Sequence, residues 1–249
     1  MNKYVMHISY LGTKYSGWQI QNNAQTIQGF IMDALHHVIQ DSIPLIVGAG
    51  RTDSGVHAIN FFAHFQSDYI ETEHVTYKLN KYLPDDIVIH NIIHASDEFH
   101  ARFSASSRTY EYWVSSVKDP FLINRAYFFK KKINLDLMNA GAKLLVGEHD
   151  FSSFTKSQLD NNYCYVNHAY WYKSKNMLIF SINSNRFLHN MVRSIVGTLI
   201  NIGLEKNNLV DLQNIINSKT RKDAGYSVPS EGLYLVDIKY PKKFKLENI

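Results

Sequence analysis

The chain has 249 residues, of which 45% are hydrophobic and 19% charged, as in an ordinary globular protein with a sizeable core. Its formal net charge of +4 favours an anionic partner only slightly. The single cysteine, Cys164, excludes a disulfide framework and any zinc or iron–sulfur site built from several cysteines. A cytoplasmic location fits this cysteine content, as other locations would. No stretch approaches 18 apolar residues and the first residues have a strand pattern, so we expect no membrane span and no signal peptide.

The first half of the chain shows six segments with the apolar periodicity of strands and helices. We predict a strand at 4–11, a helix capped by Thr26 and reaching about Gln40, strands at 44–47 and 57–66, a helix at 71–83 closed by Pro84, and a strand at 86–93. This order, β-α-β-β-α-β, is typical of a ferredoxin-like unit.

The second half repeats this order of elements without an obvious repeat of sequence. We predict a strand at 109–117, a helix at 135–146 ended by Gly147, a hairpin of strands 163–173 and 177–182 with its turn near Lys175 and Asn176, helices at 187–202 and 209–217, and a last strand at 233–240. The expected fold class is α+β. Residues 1–105 and 106–249 are predicted to form two ferredoxin-like halves that join in one continuous, mostly antiparallel sheet with a central active-site cleft.

The loop GAGRTDSGVHA, at 48–58, combines three glycines with an arginine and a carboxylate between two predicted strands. It is not a dinucleotide fingerprint, because Asp53 stands where a third glycine is needed, and no Lys-Ser/Thr pair follows as in a P-loop. The hydrolase motif G-x-S-x-G is absent around Ser54. The glycines permit tight turns, and a carboxylate held beside Arg51 would stay ionised and available as a nucleophile. Spacing alone leaves a structural turn and a catalytic Asp53 open, and it favours the turn.

Two pairs of histidines raise the question of a metal site. His90 and His94 lie four residues apart on a predicted strand, hence on one face, and His36 and His37 lie on a predicted helix. No carboxylate or cysteine at a suitable spacing completes a ligand set, so we expect no metal, and surface or capping histidines are the favoured interpretation.

The predicted helix 187–202 carries polar residues beside its apolar stripe: Arg186, His189, Asn190 and Arg193. Periodicity alone favours a solvated polar face. The alternative is a face that lines a cleft and presents arginines to an anion.

Basic and aromatic residues together suit unstacked nucleotides, and the chain has 16 Tyr, 14 Phe and 3 Trp. The run Lys130, Lys131 and Lys132, with Lys143, would provide a phosphate-contacting patch. An aromatic core and a plain lysine surface explain the same residues, and composition alone favours those simpler interpretations.

Five motifs follow one another between about Tyr10 and Leu235. They are YLGTKYSGWQIQ, GRTDSGVHA, LNKYLPDDI followed by FHARFSASSRTYEY, GEHDFSSF, and NRFLHNMVRSIVGTL. In this order they resemble the motifs of the tRNA pseudouridine synthase A family, and an ordered set is far more specific than any single motif. Ser54 stands where the family more often has Ala, and AGYSVPSEGL, at 224–233, departs from the family's AGxTAPAxGL.

The resemblance implies an isomerase, a tRNA pseudouridine synthase that acts on the 3′ side of the anticodon stem-loop at positions 38–40. It implies the doubled ferredoxin-like fold, a homodimer, tRNA as the partner and no cofactor. It assigns five site residues: Asp53 as the catalytic aspartate, Arg193 as its ion-pair partner, Tyr110 stacking on the target uracil, Arg51 holding the flipped-out nucleotide, and Leu233 lining the uracil pocket.

The implied reaction breaks the N1–C1′ bond, turns the uracil and joins C5 to C1′ without redox change, so it needs no cofactor. Asp53 would either attack C1′ or take a proton from C2′, and both roles need its ionised form. Two rival functions stay open. One is a non-catalytic RNA-binding or tRNA-chaperone protein on the same fold, and the other is a hydrolase that uses Asp53 or Ser54.

Overall fold

The structure is a computed structural model that describes residues 1–40, 45–157 and 160–246. It contains two compact units: unit 1 is Met1–Ser106 with the described part of Leu235–Ile249, and unit 2 is Ser107–Tyr234. None of the helices in these described residues is long and apolar enough to cross a membrane.

Unit 1 contains a β-α-β-β-α-β succession. Its elements are β1 (Asn2–Tyr10), α1 (Ile27–Ile39), β2 (Val47–Gly48), β3 (His57–Ser67), α2 (Thr72–Tyr82) and β4 (Ile87–His94). The strands lie in the order β4-β1-β3, β2 pairs with β3, and these pairings are antiparallel. Their core side is fully buried at Tyr4, Met6 and Ile8 of β1. From Met6 to Tyr10 the burial follows the period-two alternation of the sequence, and Val5 is fully buried as well.

Unit 2 contains its own strands and three α-helices. Its elements are β5 (Ser107–Ser115), β6 (Tyr127–Phe128), α3 (Leu135–Lys143), β7 (Gly147–Asp150), β8 (Tyr163–Ser174), β9 (Met177–Ser184), α4 (Met191–Gly203), α5 (Leu209–Ser218) and the start of β10 (Leu233–Lys239). The order is β5-β9-β8-β7 with antiparallel pairing, and β6 is parallel to β5. Tyr112 and Phe180 face each other across β5 and β9 and are fully buried.

Local sequence signals predicted the positions of most helices and strands correctly. The Thr26 hydroxyl accepts a hydrogen bond from the Gly29 amide at 3.2 Å, which caps α1, and Gln40 ends that helix in the left-handed conformation. The β8–β9 turn contains Lys175 at φ 52°, as predicted for the hairpin. The α+β class is confirmed, with five α-helices and mostly antiparallel strands in the described residues.

Three expectations need correction. The helix predicted at 187–202 begins only at Met191, because Asn190 adopts φ 64°, which interrupts a right-handed helix. The strand predicted at 44–47 is only Val47–Gly48, and Pro44 lies outside the described residues. The helix predicted to reach 146 ends at Lys143. The short strands β6 and β7 were not predicted, since two to four residues carry too little periodicity.

The C-terminal segment packs within unit 1 although the predicted half 106–249 included it. The Asn60 side-chain amide donates to the Val236 carbonyl at 2.8 Å. The Tyr240 ring lies edge-on against Phe62 with centroids 5.5 Å apart, and its hydroxyl donates to the Ala101 carbonyl at 2.7 Å. Side-chain hydrogen bonds and an aromatic contact therefore hold a segment distant in sequence within unit 1.

Candidate active site

The loop that carries Asp53 connects β2 to β3 in unit 1. Arg51 is exposed, Thr52 is buried and Asp53 is half-buried. The Val56 amide donates to the Asp53 carbonyl at 3.2 Å, which closes a turn, and Gly55 inside that turn has φ 79°. A left-handed residue at this position is why the turn needs glycine. The turn and the candidate catalytic residue are therefore the same feature of the chain.

A neighbouring segment, residues 10–18, holds the loop backbone in place. The Trp18 amide donates to the Thr52 carbonyl at 3.2 Å, and the Gly55 amide donates to the Tyr15 carbonyl at 3.3 Å. The hydroxyls of Tyr10 and Thr52 lie 2.8 Å apart in a buried hydrogen bond. Because these bonds flank Asp53 on both sides, they set the position of its backbone.

Two glycines of this segment allow the close approach. A Cβ on Gly12 would lie 2.0 Å from the Val56 carbonyl oxygen, and a Cβ on Gly17 would lie 2.3 Å from the Thr52 carbonyl oxygen. Gly17 also has φ 84°. Gly50, by contrast, has open space where a Cβ would be added. The motif YLGTKYSGWQIQ therefore acts structurally, as the support of the GRTD loop.

The motif that contains LPDDI connects to the same support. The Tyr15 hydroxyl donates to the Asp86 carboxylate, which also pairs with Lys14 at 2.9 Å. Burial raises the pKa of Asp86, but the hydrogen bonds from Tyr15 and Lys14 outweigh it and leave that pKa below its usual value. The Ser54 hydroxyl donates to the Tyr15 carbonyl at 3.2 Å, which shows what this serine contributes where the family more often has alanine.

In unit 2, Tyr110 lies on β5 opposite Ile182 of β9 and is half-buried. Its ring meets Phe187 edge-on, with centroids 5.0 Å apart and an interplanar angle of 83°. Phe187 was predicted to lie on a helix, and instead it precedes α4 and orients the Tyr110 ring. Leu233, the first residue of β10, is buried.

Arg193 is the third residue of α4 and is half-buried. Its Nε donates to the Val228 carbonyl at 2.7 Å, and the Val228 amide donates to the Arg193 carbonyl at 3.3 Å. The predicted polar helix face is wrong for Arg186, His189 and Asn190, which precede the helix. Of these four residues, only Arg193 lies on α4. The hydrogen bond to the Val228 carbonyl holds the Nε atom of its guanidinium in place.

Residues 224–229 cross α4 at close range, and we refer to them as the strap. A Cβ on Gly197 would lie 1.8 Å from the Tyr226 carbonyl oxygen, and one on Gly225 would lie 2.6 Å from the Thr198 amide nitrogen. The Gly225 amide donates to the Thr198 hydroxyl at 2.8 Å. The departure from the family pattern therefore falls in a segment packed against the helix of Arg193. In the sequence, the small residues Ser194, Gly197 and Thr198 are spaced as one face of a helix. This pattern was the available signal for a segment packed closely against α4.

The other candidate sites are surface features. His90 bonds to the Ser9 hydroxyl at 2.8 Å, and within the described residues no group of three or more His, Cys, Asp or Glu side chains is placed to hold a metal ion. Lys130, Lys131 and Lys132 are exposed, as is Lys143. A phosphate contact at these lysines stays a prediction.

Comparison with known proteins shows the family to which this chain belongs. The sequence profile of the tRNA pseudouridine synthases matches residues 6–104 and 142–241. The chain belongs to the tRNA pseudouridine synthase family. The matched ranges include Asp53 and Arg51 in unit 1 and Arg193 and Leu233 in unit 2.

Individual members of the family match over nearly the whole chain. A protein named tRNA pseudouridine synthase A from Parabacteroides distasonis is 41% identical over 253 aligned residues, covering 100% of both chains. One of the same name from Azobacteroides pseudotrichonymphae is 42% identical, covering 97% of this chain and 98% of that one. A third, from Bacteroides thetaiotaomicron, is 40% identical and covers 97% and 92%.

Proposed function

We propose that this protein converts uridine to pseudouridine on the 3′ side of the anticodon stem-loop of tRNA, at positions 38–40. Family membership over the whole chain makes it an isomerase that acts on tRNA. The observation that carries the proposal is the half-buried Asp53, held in a turn whose backbone is bonded to residues 10–18. A positioned carboxylate is what cleavage of a glycosidic bond at C1′ requires.

The reaction conserves every atom of the nucleoside except one exchanged hydrogen. The N1–C1′ bond breaks, C5 bonds to C1′, the C5 hydrogen leaves to solvent and N1 gains a proton. Asp53, ionised, attacks C1′ or takes the C2′ proton to give a glycal, and both paths return the carboxylate unchanged. No electrons are transferred overall, so no cofactor is required.

The target base must leave the RNA stack, which costs a few kcal/mol. We assign Tyr110 to offset this free energy, because stacking of its ring on a uracil contributes about 1–3 kcal/mol. The edge-on contact with Phe187 supports this role, because it fixes the orientation of the Tyr110 ring before the base arrives. Arg51, exposed at the loop, is assigned to the flipped-out nucleotide, and buried Leu233 to the wall of the uracil pocket.

We assign Arg193 to an ion pair that orients the carboxylate of Asp53. An arginine suits this role because its planar fork can bind a carboxylate with two hydrogen bonds. Its Nε is bonded to Val228, so the proposal gives the terminal nitrogens to Asp53. Like the roles of Tyr110, Arg51 and Leu233, this pairing is a prediction that mutagenesis tests.

The proposal also includes two ferredoxin-like halves, the oligomeric state, the location in the cell and the contact with tRNA phosphates. The β-α-β-β-α-β order of unit 1 and the strand–helix–hairpin–helix–strand order of residues 107–239 support ferredoxin-like halves. We also propose a cytoplasmic homodimer. Exposed lysines such as Lys131 would contact tRNA phosphates, so affinity would fall as salt rises.

The deciding experiment measures tritium release from 5-tritiated uridine in tRNA. We expect Asp53→Ala to abolish release while tRNA binding, measured by filter retention, stays within about threefold. Asp33→Ala, at an exposed position of α1, is the matched control and should behave as wild type. Normal release by Asp53→Ala would refute the assignment.

The same assay separates the rival functions. A non-catalytic RNA-binding protein would bind tRNA without any release by the wild type, and a hydrolase would liberate product from small substrates without tRNA. Tyr110→Phe keeps the ring, so we expect it to retain activity. Complete loss in that variant would show that the hydroxyl, and not stacking, carries the role of Tyr110.

A further inference from the structure

We propose that Arg221 is a positioning residue: it holds the strap, residues 224–229, against α4, and the strap in turn sets the side chain of Arg193. The inference rests on the proposed function, because it assigns Arg193 to the reaction. All the contacts that carry it lie inside unit 2.

Arg221 contacts the strap from its N-terminal side. One terminal nitrogen of its half-buried guanidinium donates to the Gly225 carbonyl at 3.0 Å and approaches the Ala224 carbonyl at 3.4 Å. The other terminal nitrogen donates to the Ser227 hydroxyl at 3.0 Å. A single planar group thus bonds to three residues of a short segment, which suits arginine and not the single ammonium of lysine.

The strap is bound from the opposite side by the start of α4. The Asn190 side-chain amide donates to the same Ser227 hydroxyl at 2.6 Å and to the Ser194 hydroxyl at 3.0 Å. Ser194 is fully buried and Asn190 nearly so. Ser227 therefore joins Arg221 to Asn190, the residue directly before the helix of Arg193.

The strap passes this constraint to Arg193 through Val228, which follows Ser227 directly. Val228 is fully buried, and both its amide and its carbonyl bond to Arg193. Beyond it, the buried Tyr112 hydroxyl donates to the Pro229 carbonyl at 2.8 Å, so the far end of the strap is also anchored. With one end anchored at Pro229 and the other at Arg221, the Val228 carbonyl is set in one place.

Loss of Arg221 would loosen the N-terminal end of the strap, which would keep only its bonds to Thr198 and Asn190. The side chain of Arg193 would keep its hydrogen bond to the Val228 carbonyl, but that carbonyl would no longer be fixed in one position. A displacement of about 1 Å at a catalytic group costs on the order of 100-fold in rate. The effect should appear in kcat, because Arg221 contacts the strap and is not assigned to tRNA.

The experiment compares Arg221→Gln and Arg221→Lys with Lys222→Gln, which removes the same charge from the adjacent, exposed residue. For Arg221→Gln we expect kcat for tritium release to fall about 10- to 100-fold, with KM and the Kd for tRNA changed less than about threefold. Arg221→Lys should recover part of kcat, and Lys222→Gln should keep the wild-type kcat. An unchanged kcat in Arg221→Gln, or a change confined to KM and Kd, would overturn the proposal.

Amide hydrogen exchange provides a readout that does not depend on activity. We expect faster exchange in peptides that contain Ser227 and Val228 for Arg221→Gln, and wild-type exchange there for Lys222→Gln. Unchanged exchange in Arg221→Gln would refute the constraint itself. If the wild type released no tritium, the proposed function would fail, and with it the link to catalysis, while exchange would still decide whether Arg221 holds the strap.

Discussion

The Asp53 loop in unit 1 and the strap in unit 2 each position one candidate site residue, and they do so by different chemistry. The loop is held mainly by backbone bonds from residues 15–18 to Thr52 and Gly55. The strap is held mainly by side chains, those of Arg221, Asn190 and Tyr112. Both rely on glycines that let two backbones approach closely.

The difference determines which substitutions each region tolerates. Backbone bonds survive a change of side chain as long as the backbone conformation is kept, so the loop should accept Ser54→Ala but reject a Cβ at Gly17. Side-chain bonds are lost with the side chain, so the strap should be sensitive at Ser227 and Arg221. A departure from the family motif therefore matters more in the strap than in the loop.

The largest expected effect in the comparison comes from Gly17→Ala. The added Cβ meets the Thr52 carbonyl oxygen at 2.3 Å, and φ 84° is unfavourable for alanine, so we expect a loss of about 2–4 kcal/mol in the free energy of unfolding. Gly50→Ala is the control, because its Cβ meets open space. Urea denaturation measures both. Equal stability of the two variants would show that the loop backbone is not held as described.

The next expected difference between the two regions is the loss of stability in acid. Strand β3, which follows the Asp53 loop, carries the buried His64. Burial, with smaller contributions from the nearby charges of His100 and Lys3, lowers the pKa of His64 to about 4. In the unfolded chain the group protonates near 6.5, so stability present above pH 6.5 is lost as the pH falls towards 4, by at most about 3 kcal/mol.

The measurement is urea denaturation of wild type and His64→Gln across that pH range. We expect a smaller loss in the variant, since glutamine does not titrate. Hydrogen exchange at acidic pH should rise first in β3 of unit 1 and later in α4 of unit 2. A variant that loses as much stability as the wild type would assign the acid sensitivity to other groups.

The smallest expected effects come from a matched pair of serines. Ser227→Ala removes an acceptor shared by Asn190 and Arg221 and should cost about 1–2 kcal/mol in the free energy of unfolding. Ser54→Ala removes one bond from an exposed hydroxyl and should cost less than about 0.5 kcal/mol, with tritium release unchanged. Thermal and urea unfolding measure the pair. A larger cost at Ser54 would reverse the comparison.

Much of the fold was predictable because its signals are local. The Thr26 cap, the apolar stripe of α1 and the alternation in β1 each depend on residues a few positions apart. The start of α4 was mispredicted because Phe187 and Leu188 continue its apolar spacing, whereas the helix is broken by the backbone of Asn190. Periodicity records side-chain hydrophobicity and contains no information on that torsion angle.

The candidate residues could be assigned from ordered motifs, but the support around them could not. Spacing alone gave no reason to connect Tyr15 with Asp86, 71 positions apart, or Asn60 with Val236, 176 positions apart. Those bonds depend on how β1, β3 and the C-terminal segment pack in unit 1. The motif does not explain Ser54, whereas the structure shows that its hydroxyl donates a hydrogen bond to the Tyr15 carbonyl.

The sequence by itself determined the α+β class, most strand and helix positions, the family and the candidate residues Asp53, Tyr110 and Arg193. These follow from short-range periodicity and from motifs read in order. Only the tertiary structure decided what holds the GRTD loop, where α4 begins and that Val228 anchors the Arg193 side chain. Hydrogen bonds between distant segments form only after the chain has packed, and they leave no pattern along the sequence.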